Sequence, residues 1–225
     1  MSLRIFIGFD SREAECSDIL AYSLRAHSSI PLDVRYLDLR HLDFNRTQDP
    51  LQSTEFTYTR FLVPHLCGYQ GKAIFMDCDM LCLGDIAELD ALDMSDLALR
   101  VVQHDYKPTA ATKMDGKAQT VYPRKNWSSL MLMNCAKLGL WTKQVVETKS
   151  GAYLHRFEDI PDEQIGELPK TWNTLDWMDE HTKLIHYTSG GPWFEACRDH
   201  PYGAVWLEWR ERYRAARQAG DPLAA

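Results

Sequence analysis

The chain lacks most of the features that would assign it quickly. It has no basic excess: 25 lysines and arginines stand against 32 aspartates and glutamates, a net charge of −7 over 225 residues. A generic nucleic-acid binder needs positive charge to release phosphate counterions, so no nucleic-acid partner is expected. None of the 12 glycines forms Gly-x-Gly-x-x-Gly or Gly-x-x-x-x-Gly-Lys. A Rossmann dinucleotide site and a P-loop are excluded on that ground. The six cysteines (Cys16, Cys67, Cys78, Cys82, Cys135, Cys197) form no Cys-x-x-Cys pair and no zinc spacing. Most have apolar neighbours and read as buried, reduced thiols, which predicts a cytoplasmic protein. No apolar run approaches the ~18–20 residues of a membrane-spanning helix. The first apolar stretch is too short for a signal peptide and runs into Asp10.

One acidic feature stands out among those that are present. The apolar run at 73–76 ends in Asp77-Cys78-Asp79, the one Asp-x-Asp of the chain. In an extended chain residues i and i+2 face the same side, ~6–7 Å apart. Asp77 and Asp79 can therefore converge on one cation, while Cys78 faces the other way. A buried strand releasing two carboxylates at its end suits a hard metal and a diphosphate. Turn aspartates of an acidic chain are the plain alternative.

The order of elements predicts an α/β fold. Residues 3–8 read as a buried strand and 13–27 as a helix with Ser11 as N-cap. Asp10 between them serves either as an acceptor for a ribose or base, or as a helix cap. Residues 33–38 alternate as a strand. Residues 55–67 read as a helix kinked by Pro64. Arg60 within it wants a partner, either a phosphate or a carboxylate of the scaffold. Strands are expected at 97–102, 127–134 and 183–187, with a mostly helical stretch at 138–153. Residues 107–124 read as a loop that could close over a site. Residues 158–164 form an acidic turn. After His186 comes Gly190-Gly191-Pro192-Trp193, where glycines let backbone amides approach a ligand. Residues 1–203 are expected to form one catalytic domain, and 204–225 an aromatic, arginine-rich helix and tail. That helix is either packed against the domain or lies on the inner face of an anionic membrane.

Gly8-Phe9-Asp10, Thr59-Arg60-Phe61, Asp77-Cys78-Asp79 and His186-Tyr187-Thr188 with Gly190-Gly191-Pro192-Trp193 stand in a fixed order. That order resembles the GT-A-fold glycosyltransferases of the glycogenin and lipopolysaccharide galactosyltransferase group, over roughly residues 3–194. The resemblance implies a Rossmann-like three-layer fold with a central mixed sheet. It implies Mn²⁺, or alternatively Mg²⁺, held by Asp77, Asp79 and His186 against the diphosphate of a nucleotide sugar. Two carboxylates and an imidazole suit Mn²⁺ better than Ca²⁺. Gly8, Phe9, Asp10, Arg12, Cys78, Gly190 and Gly191 become the expected nucleotide-binding set, with uridine the expected base. Arg60, Asp162 and Gln164 become the residues expected at the donor sugar and reacting face. The implied reaction is retaining hexosyl transfer to a hydroxyl of a saccharide, a lipid-linked glycan or a protein. An inverting path would need a base, for which Glu158, Asp159, Asp176 and Asp179 are available. Two departures are visible. Gly191 stands where the family usually has a phosphate-binding lysine, and Trp127-Ser128-Ser129 replaces its Asn-Ser-Gly. A sugar-1-phosphate nucleotidyltransferase and a non-catalytic nucleotide-sugar binder remain the alternatives.

Overall fold

The computed structural model describes residues 2–47, 52–105 and 124–224. The loop expected at 107–124 lies outside the described residues, apart from Arg124. The strands are β1 (Leu3–Gly8), β2 (Leu32–Leu37), β3 (Lys72–Met76), β4 (Met80–Cys82), β5 (Leu99–Val101), β6 (Leu130–Asn134), β7 (Ile165–Glu167), β8 (Thr174–Leu175) and β9 (Leu184–His186). The helices are α1 (Ala14–His27), α2 (Val63–Leu66), α3 (Ala87–Asp90), α4 (Lys143–Thr148), α5 (Gly151–His155) and α6 (Gly203–Ala219).

Six strands form a central mixed sheet in the order β2-β1-β3-β6-β5-β7, and β4-β9-β8 form a second, smaller sheet. β1 runs parallel to β2 and β3, β6 antiparallel to β3 and β5, and β7 parallel to β5. Apolar runs without polar alternation are what a sheet covered on both faces requires. Accordingly Ala73 to Met76 and Leu130 to Met133 are wholly buried. The carboxyl ends of β3, β5 and β7 and the amino end of β6 share one edge of this sheet.

The acidic motif is the joint between the two sheets. Asp77 N–H donates to Ser129 O (2.9 Å), extending the β3–β6 ladder by one rung. Asp79 O accepts from Tyr187 N–H (2.9 Å), the first rung of the small sheet. The chain bends at Cys78 and Asp79 instead of continuing as one strand.

Several expected elements are broken differently. Residues 55–67 form turns, a 3₁₀ stretch at Thr59–Leu62 and then α2. Pro64 opens α2 instead of kinking a longer helix, because its missing N–H costs nothing in a first turn. Residues 138–153 divide into α4 and α5, capped by Thr142 and Ser150 respectively. Ser11 is not the N-cap of the first helix. Asp10 caps a 3₁₀ turn, Ser11–Glu13, that leads into α1.

The aromatic face of α6 is turned inward. Trp206, Trp209, Tyr213 and Ala216 join Cys16 and Ile19 of α1, Leu81 of β4, and Ile185 and Tyr187 in one buried cluster. On the outer face, Arg212 pairs with Glu208 at 2.5 Å, and Arg214 with Glu15 at 2.7 Å. The expected membrane contact thereby loses its aromatic anchor to internal packing. Among the described residues no helix is long and apolar enough to cross a membrane.

Candidate metal and nucleotide-sugar site

At the joint, one ligand atom each from Asp77, Asp79 and His186 lies within 4.8 Å of the others. His186 Nε2 is 3.1 Å from Asp79 Oδ1 and 4.0 Å from Asp77 Oδ2. Arg60 Nη1 lies 2.9 Å from Asp77 Oδ1. Asp77 Oδ1 and Asp79 Oδ1 are both buried, and the groups against them are the Arg60 guanidinium and the His186 imidazole. Two buried carboxylates this close are costly unless cations offset them. The donor set, two carboxylates and one imidazole, fits a divalent ion such as Mn²⁺.

The surrounding groups set the charges. Burial pushes Asp77 up to about 6, with Arg60 opposing and the Asp79 charge adding to the rise. Burial works against a charged His186, but Asp79 and Asp77 outweigh it and its pKa is raised. Asn173, fully buried, faces His186 Nδ1 with its Oδ1 at 3.0 Å. Its Nδ2 donates to Ser129 Oγ at 2.9 Å. An amide oxygen only accepts, so Nδ1 carries the proton and Nε2 is the nitrogen presented to Asp79.

Arg60 is a buried hub. Its Nη1 donates to Ser128 O (2.9 Å) and lies 3.4 Å from Ser128 Oγ, and Nε donates to Thr57 O (3.1 Å). The guanidinium also faces the rings of Phe75 and Phe56. The fold therefore supplies the carboxylate partner expected for Arg60, and places that arginine beside the metal cluster.

Other expected residues are placed differently. Asp10 is completely buried and saturated. Oδ1 accepts from Arg12 N and Nε, and Oδ2 from Arg12 Nη2 and Glu55 N. A carboxylate has about four acceptor positions, and all are filled. Burial opposes its charge, yet these bonds hold Asp10 below the usual carboxylate range. Asp10 with Arg12 is thus a structural clasp, and the capping reading prevails over the ribose reading. Gly8 is required by packing, since a Cβ there would meet the Phe56 ring at 2.3 Å. Phe9 lies at the carboxyl end of β1, against Tyr36 and beneath Arg40.

Cys78 points away from the carboxylates, its thiol 3.8 Å from Glu13 Oε2. Glu13 Oε1 accepts from Trp193 Nε1 at 3.0 Å. Burial and the Asp79 charge push Glu13 up to about 8. This explains the glycine at 191. A Cβ there would lie 2.0 Å from the Trp193 ring, so a lysine and the Trp193–Glu13 bond cannot coexist. Gly190, at φ 96°, makes the preceding turn in a conformation that favours glycine.

Gln164 stands just before β7, at the end of the sheet away from the cluster. Gln164 O accepts from Ala98 N–H at the amino end of β7, and Ala98 O accepts from Asn134 N–H. Asp77 is level with Ser129. Five strand residues separate the two levels, about 16 Å. Asp162 is 85% exposed and pairs with Arg124. The strand direction of β7 dictates this: its carboxyl end faces the site and delivers Lys170, Trp172 and Asn173. Asn173 and Glu13 beside the cluster, and His155 against Ser128, were not singled out in sequence, whereas Ser128 was noted only as a departure. Asn173 carried no signal of its own, since Lys170, Thr171 and Thr174 around it are polar as well. His104, at the carboxyl end of β5, also belongs to this edge. Burial, aided by His186 and Lys170, lowers its pKa to about 4.

A mixed central sheet whose edge carries an Asp-x-Asp joint, with a late histidine from a small second sheet, defines a GT-A glycosyltransferase. The chain belongs to glycosyl transferase family 8, whose model matches residues 19–197. It is 45% identical over 224 residues to protein CDI of Arabidopsis thaliana, covering 93% of this chain and 86% of that protein. Its fold is similar to glycosyltransferase GlyE of Streptococcus pneumoniae (TM-score 0.61, 14% identity, 93% of this chain). This chain spans only 60% of GlyE. It is also similar to galactosyltransferase LgtC, solved with donor and acceptor sugar analogues (TM-score 0.56, 14% identity, 93% of this chain and 96% of that one).

Proposed function

We propose that this chain transfers a hexosyl group from a UDP-sugar to an acceptor hydroxyl, with retention of configuration. The observation that carries the reading is the convergence of Asp77, Asp79 and His186, with one ligand atom from each within 4.8 Å of the others. Mn²⁺ held by these three residues would offset the charge of the departing diphosphate as a Lewis acid.

The protein's own groups prepare the site. Asn173 holds the Nδ1 proton of His186, so Nε2 is the nitrogen that would take up a metal on losing its own proton. Arg60 stands against Asp77 and supplies a fixed positive charge. The turn from Tyr187 to Gly191 follows His186 directly, and its amides at Tyr187, Thr188, Ser189 and Gly190 are already bonded within the fold. Asp176 braces that turn, accepting from Thr188 Oγ1 (2.5 Å), Ser189 Oγ (2.8 Å) and Ser189 N (3.1 Å). Phe9, Tyr36 and Arg40 offer a flat surface for the base. Three of the four carboxylates open to an inverting path are engaged, Asp176 in the turn, Asp159 by Tyr153 and Asp179 by Thr182, which leaves Glu158 and supports retention. A front-face path needs no separate base, since the leaving phosphate can take the acceptor proton.

The test is incubation with Mn²⁺ and UDP-glucose or UDP-galactose. Slow UDP release that chelation abolishes is the expected result. Failure to bind any uridine nucleotide with Mn²⁺ or Mg²⁺ overturns the proposal.

A further inference from the structure

Two of the six cysteines are brought together by the fold. Cys67 caps α2 at its carboxyl end, and Cys135 follows β6 directly. Between Cys67 and β3 the chain reverses through Gly68, Tyr69 and Gly71, all at positive φ (60°, 55° and 66°). That reversal sets Gly71 O to accept from Cys135 N–H at 2.9 Å. Arg4 of β1 fixes the turn, donating to Cys67 O (3.5 Å), Lys72 O (3.0 Å) and Gln70 O. The two thiols are hydrogen-bonded to each other. Cys135 is fully buried, whereas Cys67 is half-buried at the surface of the core. The amino end of β6 carries the metal edge and Cys135 follows its carboxyl end, so the pair lies across the sheet from Asp77, Asp79 and His186.

The two sulfurs are chemically unlike. The bond from Cys135, with the charges of Arg4 and Arg35, holds the Cys67 thiol down at about 7 in spite of its partial burial. Such a thiol is roughly half thiolate at neutral pH, close to the optimum for attack on a disulfide. The same bond, burial and the Cys67 charge raise the Cys135 thiol. Burial raises the other four, Cys16, Cys78, Cys82 and Cys197. Cys67 is therefore the nucleophilic sulfur of the set. Cys135 can follow it, because capping Cys67 removes the thiolate that holds the Cys135 proton.

We propose that Cys67 is a reversible modification site for small disulfides such as oxidised glutathione, and that Cys135 resolves the adduct into a Cys67–Cys135 disulfide. The Cys67 thiolate attacks one glutathione sulfur. A Cys67–glutathione bond forms, the glutathione S–S bond breaks, and one glutathione leaves as thiolate. Cys135 then loses its proton to solvent and attacks Cys67 Sγ, displacing the second glutathione. Two protein thiols are oxidised, and one glutathione disulfide is reduced to two glutathione thiols. The test treats the full-length protein with oxidised glutathione near neutral pH and maps its disulfides by mass spectrometry without reduction. Wild type is expected to yield the Cys67–Cys135 link with no retained glutathione. Cys135→Ser is expected to stop with glutathione on Cys67, and Cys67→Ser to take up none at Cys135. Glutathione that stays on Cys67 in wild type overturns the resolving role of Cys135. A wild type modified only at other cysteines, or not at all, overturns the pair. Alkylation of the unmutated protein with iodoacetamide covers a serine variant that fails to fold. Cys67 is expected to label first of the six, and labelling of any other cysteine ahead of it overturns its role.

Discussion

Asn173 controls a metal site it does not touch. Its Oδ1 is the acceptor for His186 Nδ1–H at 3.0 Å, and its Nδ2 is tied to Ser129 Oγ at 2.9 Å. Ser129 in turn donates to Asn126 O at 2.7 Å, so the amide cannot rotate without breaking a chain of bonds. Asn173→Ala leaves Nδ1–H without an acceptor beside a histidine that is itself 3% exposed. Stranding a buried donor costs about 1–3 kcal/mol. The ring can escape that cost by changing tautomer, which moves the proton to Nε2 and removes the lone pair facing Asp79. Either way the metal site is weakened, by roughly 10–100-fold on the scale of lost outer partners of metal-binding histidines. Titration of Mn²⁺ by calorimetry or electron paramagnetic resonance, with UDP present, measures it. Asn173→Asp is the control, because it keeps the Oδ1 acceptor and should retain Mn²⁺ affinity. Wild-type affinity in a folded Asn173→Ala, or equal loss in both variants, refutes the reasoning.

The metal-free protein should lose stability as pH rises from about 4 to 8. Asp77 and Glu13 have folded pKa values raised to about 6 and about 8, and His186 is raised as well. Each contributes stability below its unfolded value that disappears as pH climbs through the folded one, on the order of 3 kcal/mol for Asp77 alone. Mn²⁺ should stabilise progressively more over the same range, since it binds the deprotonated ligands. Thermal melts with and without Mn²⁺ check both slopes, and a metal-free Tm that rises with pH contradicts them. Gly191→Lys, which places the family's lysine, should lower stability by about 1–3 kcal/mol through overpacking against Trp193. An unchanged melt, or tighter UDP binding, would show that Trp193 moves freely off Glu13. Asp162→Ala and Gln164→Ala should leave Mn²⁺-dependent UDP binding within about twofold, since surface changes remote from a site seldom exceed ~0.5 kcal/mol. A tenfold loss in either would place the β7 turn at the nucleotide after all.

The parts of the site legible in sequence were those written into a single strand. An apolar run ending in two carboxylates announces both its burial and its charge, and Asp77 and Asp79 do converge. The spacing of Trp206, Trp209, Tyr213 and Ala216 is likewise that of one helix face, which packs inward. Long-range closure was the hidden part. Asp10 looked available because the donors that fill it come from Arg12 and from Glu55, the latter 45 residues away. Gln164 looked close to the metal because motif order says nothing of which end of β7 meets the metal edge. Gly191 looked like a lost lysine until the Trp193 ring was seen to occupy its Cβ position. His155 gave no signal at all, because only the folding of α5 against Phe61 brings it to Ser128.

The central claim is that Asp77, Asp79 and His186 form one divalent-metal site that serves a nucleotide diphosphate. Anomalous diffraction at the manganese edge, from crystals grown with Mn²⁺ and UDP, tests it directly. The account predicts one strong peak within bonding distance of all three side chains, with UDP phosphate oxygens completing its coordination, and no such peak in Asp79→Ala. A map in which UDP is bound and manganese is absent from this joint, or is held by other residues, would contradict it.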